Sequence, residues 1–355
     1  MNEKPEAARV AHRKGLYVEV KAGQQYLWCR CGRSGSQPFC DGSHRGTALR
    51  PMSFRAEHDG EVILCGCKHT SNAPFCDGSH NNLPGGYAQD DPESAANRKV
   101  RLIAADAGPT VQLDGRCYVF ATSRASLRQH EALRYCTVLS PSRGALFQSQ
   151  FYAEAGQGAS PVIAAEDRHT VLFVASGRGE IELNGQRLAV EPRVGIYVGP
   201  GEAYRIHNAD STPLRFFISN GPGSEELAFR TEMPRDPARA FSHRRAEVDA
   251  TQRHAMAERY FQLLIHRAQG STVMTQFIGN IPLSKAEPHR HLYEEALLVL
   301  NGAGVMWTER TKALIGPGDV IFLPRSQVHS VQCTSPGGFD VVGVIYPGDN
   351  PAINY

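Results

Sequence analysis

From residue 170 onward, apolar and polar positions follow the two-residue period of strands. TVLFVASGRGEIELNGQRLAV (170–190) gives an apolar run, a Ser-Gly-Arg-Gly turn, an alternating strand, Asn-Gly, and another strand. Asn184-Gly185 suits the positive φ angles of a type I′ hairpin turn. EALLVLNGAGVMW (295–307) repeats the plan with Asn301-Gly302 at its first turn, and GIYVGPGEAYRIHN (195–208) is echoed by GDVIFLPRSQVHSV (318–331). The pattern predicts two copies of one all-β unit, over 111–225 and 263–355, in a mainly β chain. Between them the charged stretch 226–262 reads as a helical connector, with Arg244-Arg245 on a solvated face. LPGGYAQDDPESAANRK (83–99) has almost no apolar period and predicts a linker, set at 85–110. Residues 1–15 read as a flexible arm.

Composition narrows the class. The 355 residues carry 41% hydrophobic and 21% charged residues, an ordinary globular balance, and a formal charge of +2. That charge implies no strong field for nucleic acid. No run of 18 apolar residues predicts a membrane span, and the N-terminus has no apolar core of a secretory signal. Its basic Arg9, Arg13 and Lys14 are mixed with Glu3 and Glu6, so a cytoplasmic location is expected. The cysteines are uneven. Six of nine fall between residues 29 and 76, whereas Cys117, Cys136 and Cys333 sit among apolar neighbours and read as buried small hydrophobes.

The clustered six belong to an internal repeat over 16–84, divided into 16–48 and 49–84. CRCGRSGSQPFCDGSH (29–44) and CGCKHTSNAPFCDGSH (65–80) share the spacing C-x-C-x8-C-x3-H. Each copy supplies three thiolates and an imidazole, a donor set for zinc or an iron–sulfur cluster. Asp41-Gly42-Ser43 and Asp77-Gly78-Ser79 read as turns opening short helices. Both copies resemble the CDGSH (NEET-type) iron–sulfur domain, and Ser34, Pro38, Thr70 and Pro74 also hold positions of its pattern. The resemblance implies a 2Fe–2S cluster on Cys29, Cys31, Cys40 and His44 and another on Cys65, Cys67, Cys76 and His80. It also implies that the two copies pack as an internal pseudo-dimer. A unit of this size buries too little alone, so pairing lets both share one core.

In EPHRHLYEEALLVLNG (287–302), His289 and His291 share one face of a strand and Glu295 shares their parity; His329 follows at the end of PRSQVH. Three imidazoles and a carboxylate suit Fe, Mn, Ni, Cu or Zn. Glu294 has the wrong parity. These stretches resemble the two cupin motifs, with Gly302 and Gly318 at glycine positions of the family. Ser326 stands where the family usually has Gly, and Cys333 where it usually has Asn. The resemblance implies a jelly-roll barrel holding a metal on His289, His291, Glu295 and His329. The earlier β unit resembles a degenerate cupin: Ala164, Glu166, Thr170 and Tyr204 fall at the four ligand positions. His169 and His207 are off register and read as structural or pocket-lining.

The expected architecture is thus a small tandem CDGSH domain followed by two cupin jelly-roll barrels. The combination points to a non-haem iron oxygenase. Its mononuclear divalent metal, Fe(II), acts on a small molecule with O₂, and the two 2Fe–2S clusters serve as built-in electron carriers fed by a reductase. Two alternatives stand beside it: a cofactor-independent cupin dioxygenase with regulatory clusters, and a non-enzymatic redox or iron sensor. Tyr293, Met306, Trp307 and Phe322 are candidate pocket residues. The expected assembly is a monomer or homodimer, with neither nucleic acid nor membrane as partner.

Overall fold

The alternating segments form strands throughout the computed structural model, which describes residues 6–84, 89–234, 243–348 and 350–353. Among these residues the only helical elements are short 3-10 turns. The hairpin at Asn184-Gly185 has φ values of 52° and 79° and joins Gly179–Leu183 to Gln186–Val190, as its residue types predict.

The repeat domain consists of two interlocked ladders. Gly15–Val20, at the start of the first copy, pairs with Gly60–Cys65 of the second. Met52–Arg55, at the start of the second copy, pairs with Gln25–Trp28 of the first. Each copy therefore completes the other's sheet. Buried Trp28, Leu64, Cys65 and Cys67 form their common core, with Phe39, Phe54, Val18 and Val62 packed around it. The Trp28 indole donates to the Cys65 carbonyl at 2.9 Å, across the two copies.

The first barrel combines a seven-stranded and a six-stranded sheet, and the second an eight-stranded and a four-stranded sheet. Cores fill both interiors. A third apolar cluster lies between the barrels, where Phe120, Phe173, Phe217, Ile278, Phe322 and Val344 meet. Each such buried side chain contributes roughly 1.5–3 kcal/mol, so the barrels are stacked by their large sheets.

Several sequence expectations need correction. The arm is not loose over its described part, residues 6–14. Its Arg9 N–H donates to Cys31 O and its His12 N–H to Gly66 O, each at 3.1 Å. It thereby serves loop carbonyls that no ladder reaches. Residues 1–5 lie outside the described residues.

The linker is partly structural. Arg101–Leu102 pairs in parallel with Thr311–Ile315, Gln89 bridges Ala286, and Asp90 holds the Lys285 ammonium. The linker is expected to end at Thr110, and Val111, Gln112 and Tyr118–Ala121 to open the first barrel. They instead extend the second barrel's sheet, beside Asp319–Leu323.

The connector contains no α-helix among its described residues: His254–Met256 and Arg259–Ile265 are strands of the second barrel. Arg245–Ala246 pairs with Gly195–Val198 of the first. Arg244 is 4% exposed, not solvated, and its guanidinium grips the Glu202 carboxylate at 2.5 and 2.7 Å. Neither CDGSH turn opens an α-helix; the second opens the 3-10 turn Ser79–Asn82.

Candidate metal centres

In the first Cys/His loop, Cys29 Sγ lies 3.8 Å from Cys31 Sγ, and Cys40 Sγ lies 3.2 Å from His44 Nδ1. In the second, Cys65 and Cys67 are 3.5 Å apart, as are Cys76 Sγ and His80 Nδ1. Backbone N–H groups point at the sulfurs: Arg33 to Cys31, Gly42 to Cys40, Lys68 to Cys65 and His69 to Cys67. Such donors favour thiolates and a negatively charged group bound by them. The hydrogen bond from Cys67 brings Cys65 down to about 6 and holds Cys67 itself protonated. The residue after each Cys-x-Cys pair is left-handed, Gly32 at φ 75° and Lys68 at φ 69°. A Cβ at Gly32 would lie 1.9 Å from Arg9 O, so the crossing arm requires glycine there. The copies differ in environment. Cys76 and His80 are buried, whereas Cys40 and His44 are partly exposed.

In the second barrel, His289 and His329 face each other across two backbone hydrogen bonds of 2.9 Å. Their rings stand 4.5 Å apart, and the His291 ring stands 4.8 Å from that of His329. Each Nδ1 meets a nearby carbonyl: Glu287 O for His289, Tyr293 O for His291 and Gln327 O for His329. That contact fixes the tautomer and leaves Nε2 as the lone-pair donor. Burial pushes His289 down to about 3 and His329 well below the ordinary histidine range, so both rings are neutral near pH 7. His291 Nε2 lies 3.0 Å from Glu295 Oε2, yet it has no hydrogen-bond partner among the described residues. Two donors about 2.1 Å from one ion and at right angles would be about 3 Å apart. The donor chemistry therefore fits a mononuclear transition metal. As the side chains stand, the described residues contain no closed shell of three or more His, Cys, Asp or Glu.

Strand alternation separates the two neighbouring carboxylates. Glu294 turns away and accepts N–H bonds from Leu146 (2.6 Å) and Phe147 (2.9 Å) of the first barrel. Ser326, where the resemblance led one to expect glycine, adopts φ 63° and donates its N–H to His291 O at 2.8 Å.

His289, Glu295 and His329 line an open pocket of about 600 Å³, with Tyr293 among its walls. Met306 and Phe322 are instead buried in the apolar cores, and Trp307 lines a second cleft that reaches His329 from the other side. The other walls include Met256, Arg259, Phe261, Phe277 and Asn280. Most of these sit on the strands Arg259–Ile265 and Thr275–Ile281. Reading Arg259–Gln262 as the end of a helical connector hid Arg259 and Phe261; the aromatic and branched residues of RYFQLLI were the available signal.

The first barrel has no equivalent centre among its described residues. Thr170 donates to Asn220 Oδ1 at 2.8 Å, and Tyr204 is fully buried. His169 meets the Tyr197 hydroxyl at 2.7 Å, and His207 meets Glu182 at 2.8 Å.

Residues 6–45 and 49–81 match the family described as iron-binding zinc finger, CDGSH type, and residues 282–344 match the cupin domain family. The chain thus joins two CDGSH segments to a C-terminal cupin domain. It is 49% identical over 55 residues to human CDGSH iron-sulfur domain-containing protein 3, mitochondrial, covering 15% of this chain and 43% of that protein. The mouse protein of the same name is 50% identical over 50 residues, 14% of this chain and 36% of that protein. The chain therefore spans less than half the length of these curated relatives.

Among solved structures, protein Ylba from E. coli superposes with a TM-score of 0.52 at 16% identity, covering 68% of this chain and 94% of that one. An oxalate decarboxylase gives 0.52 at 11%, covering 65% and 77%. A variant salicylate 1,2-dioxygenase from Pseudoaminobacter salicylatoxidans, in complex with gentisate, gives 0.52 at 10%, covering 69% and 83%. At these identities the likeness shows the fold, two stacked cupin barrels. No helix among the described residues is long and apolar enough to cross a membrane.

Proposed function

We propose that the chain is a non-haem iron oxygenase acting on a small anionic molecule, with two 2Fe–2S clusters as its electron carriers. One observation carries this reading. His289, Glu295 and His329 line one pocket, the His291 ring stands 4.8 Å from that of His329, and the second Cys/His loop is docked beside the same barrel. Iron held by His289, His291, Glu295 and His329 would supply open positions for O₂ and substrate, and clusters in the Cys/His loops would supply single electrons.

The chain's own residues set the rest. Met256, Phe261, Phe277 and Leu297 give the pocket its apolar walls. Arg259 lines the same pocket, and its charge is among those that disfavour protonated His289. A guanidinium in an apolar wall suits a carboxylate-bearing substrate. The carbonyls of Glu287, Tyr293 and Gln327 hold the three rings in register.

The test is metal and acid-labile sulfide analysis of anaerobically purified protein, followed by the His329→Ala variant. The reading requires about five irons and about four sulfides per chain. His329→Ala then loses the mononuclear iron and turnover while keeping the cluster spectrum. Zinc without sulfide, or turnover surviving in His329→Ala, would overturn it. Full single-turnover reaction without any reductant would favour a cofactor-independent dioxygenase.

A further inference from the structure

The second Cys/His loop is seated on the barrel by specific contacts. The Asn81 side chain donates to Ala352 O at 2.9 Å, and Asn350 donates to Asp77 O at 3.3 Å. Between these residues, Pro351 lines the pocket that holds His289, Glu295 and His329. A Cβ at Gly78 would lie 2.5 Å from Ala352 O, so the approach is close enough to require glycine.

A second seam lies alongside. Arg290, between the two metal-ligating histidines, pairs with Glu61 at 2.8 Å and stacks on the Tyr17 ring at 3.8 Å. The Tyr17 hydroxyl donates to the Arg290 carbonyl at 2.5 Å. That carbonyl belongs to the peptide joining Arg290 to His291. On its other side, Tyr17 is the ladder partner of Ile63, whose carbonyl accepts the Cys76 N–H at 3.0 Å. Tyr17 thus links, through its ladder on one side and its hydroxyl on the other, the strand that holds Cys76 to the Arg290–His291 peptide. Burial, reinforced by Glu61 and Cys76 and opposed by Arg290, pushes the Tyr17 phenol up, so it remains a donor.

The first Cys/His loop lacks this connection. There the Cys40 N–H binds Leu27 O at 2.8 Å, and the ladder partner of Leu27 is Ser53. Ser53 is exposed and its hydroxyl accepts only a bond from Gln25 among the contacts described for it. Tyr17 therefore marks a difference between the two copies that coincides with the one docked on the barrel.

We propose that the second Cys/His site is the one that exchanges electrons with the barrel metal, through Tyr17 and the Arg290–His291 peptide, while the first receives electrons from an external one-electron donor. This rests on the reading of the clusters as electron carriers. In the step itself, one electron leaves the reduced cluster, which returns to its diferric form, and one ferric ion in the barrel becomes ferrous. No bond is made or broken and Tyr17 keeps its proton.

The test uses the full chain, reconstituted with both clusters and with its barrel iron oxidised by ferricyanide and desalted. A flash with photoreduced deazaflavin delivers about one electron per chain. Cluster absorbance and the ferric EPR signal are then followed. In the wild type, the cluster bleach recovers as the ferric signal falls. Tyr17→Phe keeps the ring stack, the iron content and both potentials but slows the recovery roughly tenfold, equivalent to about 1.4 kcal/mol of added barrier. Glu61→Gln cuts the neighbouring ion pair without touching the connection and keeps the wild-type rate.

Wild-type speed in Tyr17→Phe overturns the route while leaving the clusters as donors. Equal slowing in both variants also overturns it, because Tyr17 would then act only in docking. If the wild type itself shows no transfer, the carrier reading fails first.

Discussion

Two buried neutral histidines make the metal-free second barrel sensitive to acid in a defined window. His289 is pushed down to about 3 by burial, and His329 well below its ordinary value by burial and the neighbouring rings. A histidine whose folded pKa is depressed contributes stability that is present above its unfolded pKa and lost as pH falls below it. The unfolded chain takes up a proton near pH 6.5 while the folded barrel does not, so each ring destabilises the fold by about 1.4 kcal/mol per pH unit below that point. Between pH 6.5 and 5 the loss is about 2 kcal/mol per ring. Buried Glu294 and Asp319, raised by burial, act in the opposite sense, but they are common to both proteins and cancel in the comparison below. The assay is calorimetry of chelator-treated protein across this range, comparing wild type with His329→Gln. Removing one ring should flatten the dependence by about 2 kcal/mol, or roughly 4–8 °C in midpoint at 2–4 °C per kcal/mol. The comparison of slopes is what matters, since the substitution also alters packing at every pH. Parallel curves for the two proteins would refute the assignment of a neutral, buried His329.

The neighbouring carboxylates should separate cleanly. Glu294→Ala strands the Leu146 and Phe147 N–H groups at a cost of roughly 1–3 kcal/mol each, lowering the thermal midpoint with metal content unchanged. Glu295→Ala should lower metal occupancy, measured by mass spectrometry of the bound elements, with little change in the metal-free midpoint. In the repeat domain, Gly32→Ala should release its cluster much faster than Gly42→Ala, followed as decay of visible absorbance. Both sites have positive φ, but only at Gly32 would the new Cβ meet backbone, at 1.9 Å from Arg9 O.

The local parts of this architecture were legible because local rules fix them. The strand period accounts for Glu294 and Glu295 facing opposite ways on Glu294–Val299. His289 and His291 precede that strand, His289 on an isolated bridge to His329 and His291 just before a bend, and not on the shared strand face that their spacing predicts. Asn184-Gly185 marked its turn by the conformation those residues tolerate. The cysteine spacing placed both Cys/His loops. What escaped was partnership between distant segments. Tyr118–Ala121 reads as a strand, but nothing in YVFA says that its partner lies at Asp319–Leu323, across the whole first barrel. Arg244 reads as a surface charge because its partner Glu202 stands 42 positions away. Its burial is bearable only with that bidentate bond, and no sequence period reports it. Phe322 was expected at the pocket; it faces the other barrel instead, packed with Tyr118 at 5.2 Å between ring centres.

The two duplications have lost symmetry in a coordinated way. In each, one copy stands at the second barrel's chemistry and the other stands away from it. The first barrel carries Ala164, Glu166, Thr170 and Tyr204 where the alignment of the two units sets the four candidate ligands, yet it supplies the Leu146–Phe147 segment held by Glu294, next to the candidate ligand Glu295. The strands around Tyr118 and Phe120 belong to the second barrel's sheet while their side chains join the inter-barrel core. Removing the first barrel would therefore expose that core and unseat the strand carrying Glu295. The repeat domain shows the same division. Its second Cys/His loop is docked on the barrel through Gly78 and Asn81, beside Tyr17 from the first copy's strand, while the first loop keeps Cys40 and His44 partly exposed. A symmetric pair would gain nothing from an exposed twin. A pair with one open and one docked member has an entrance and an exit, and the exchanged ladders Gly15–Val20 with Gly60–Cys65 and Gln25–Trp28 with Met52–Arg55 hold the two at a fixed spacing.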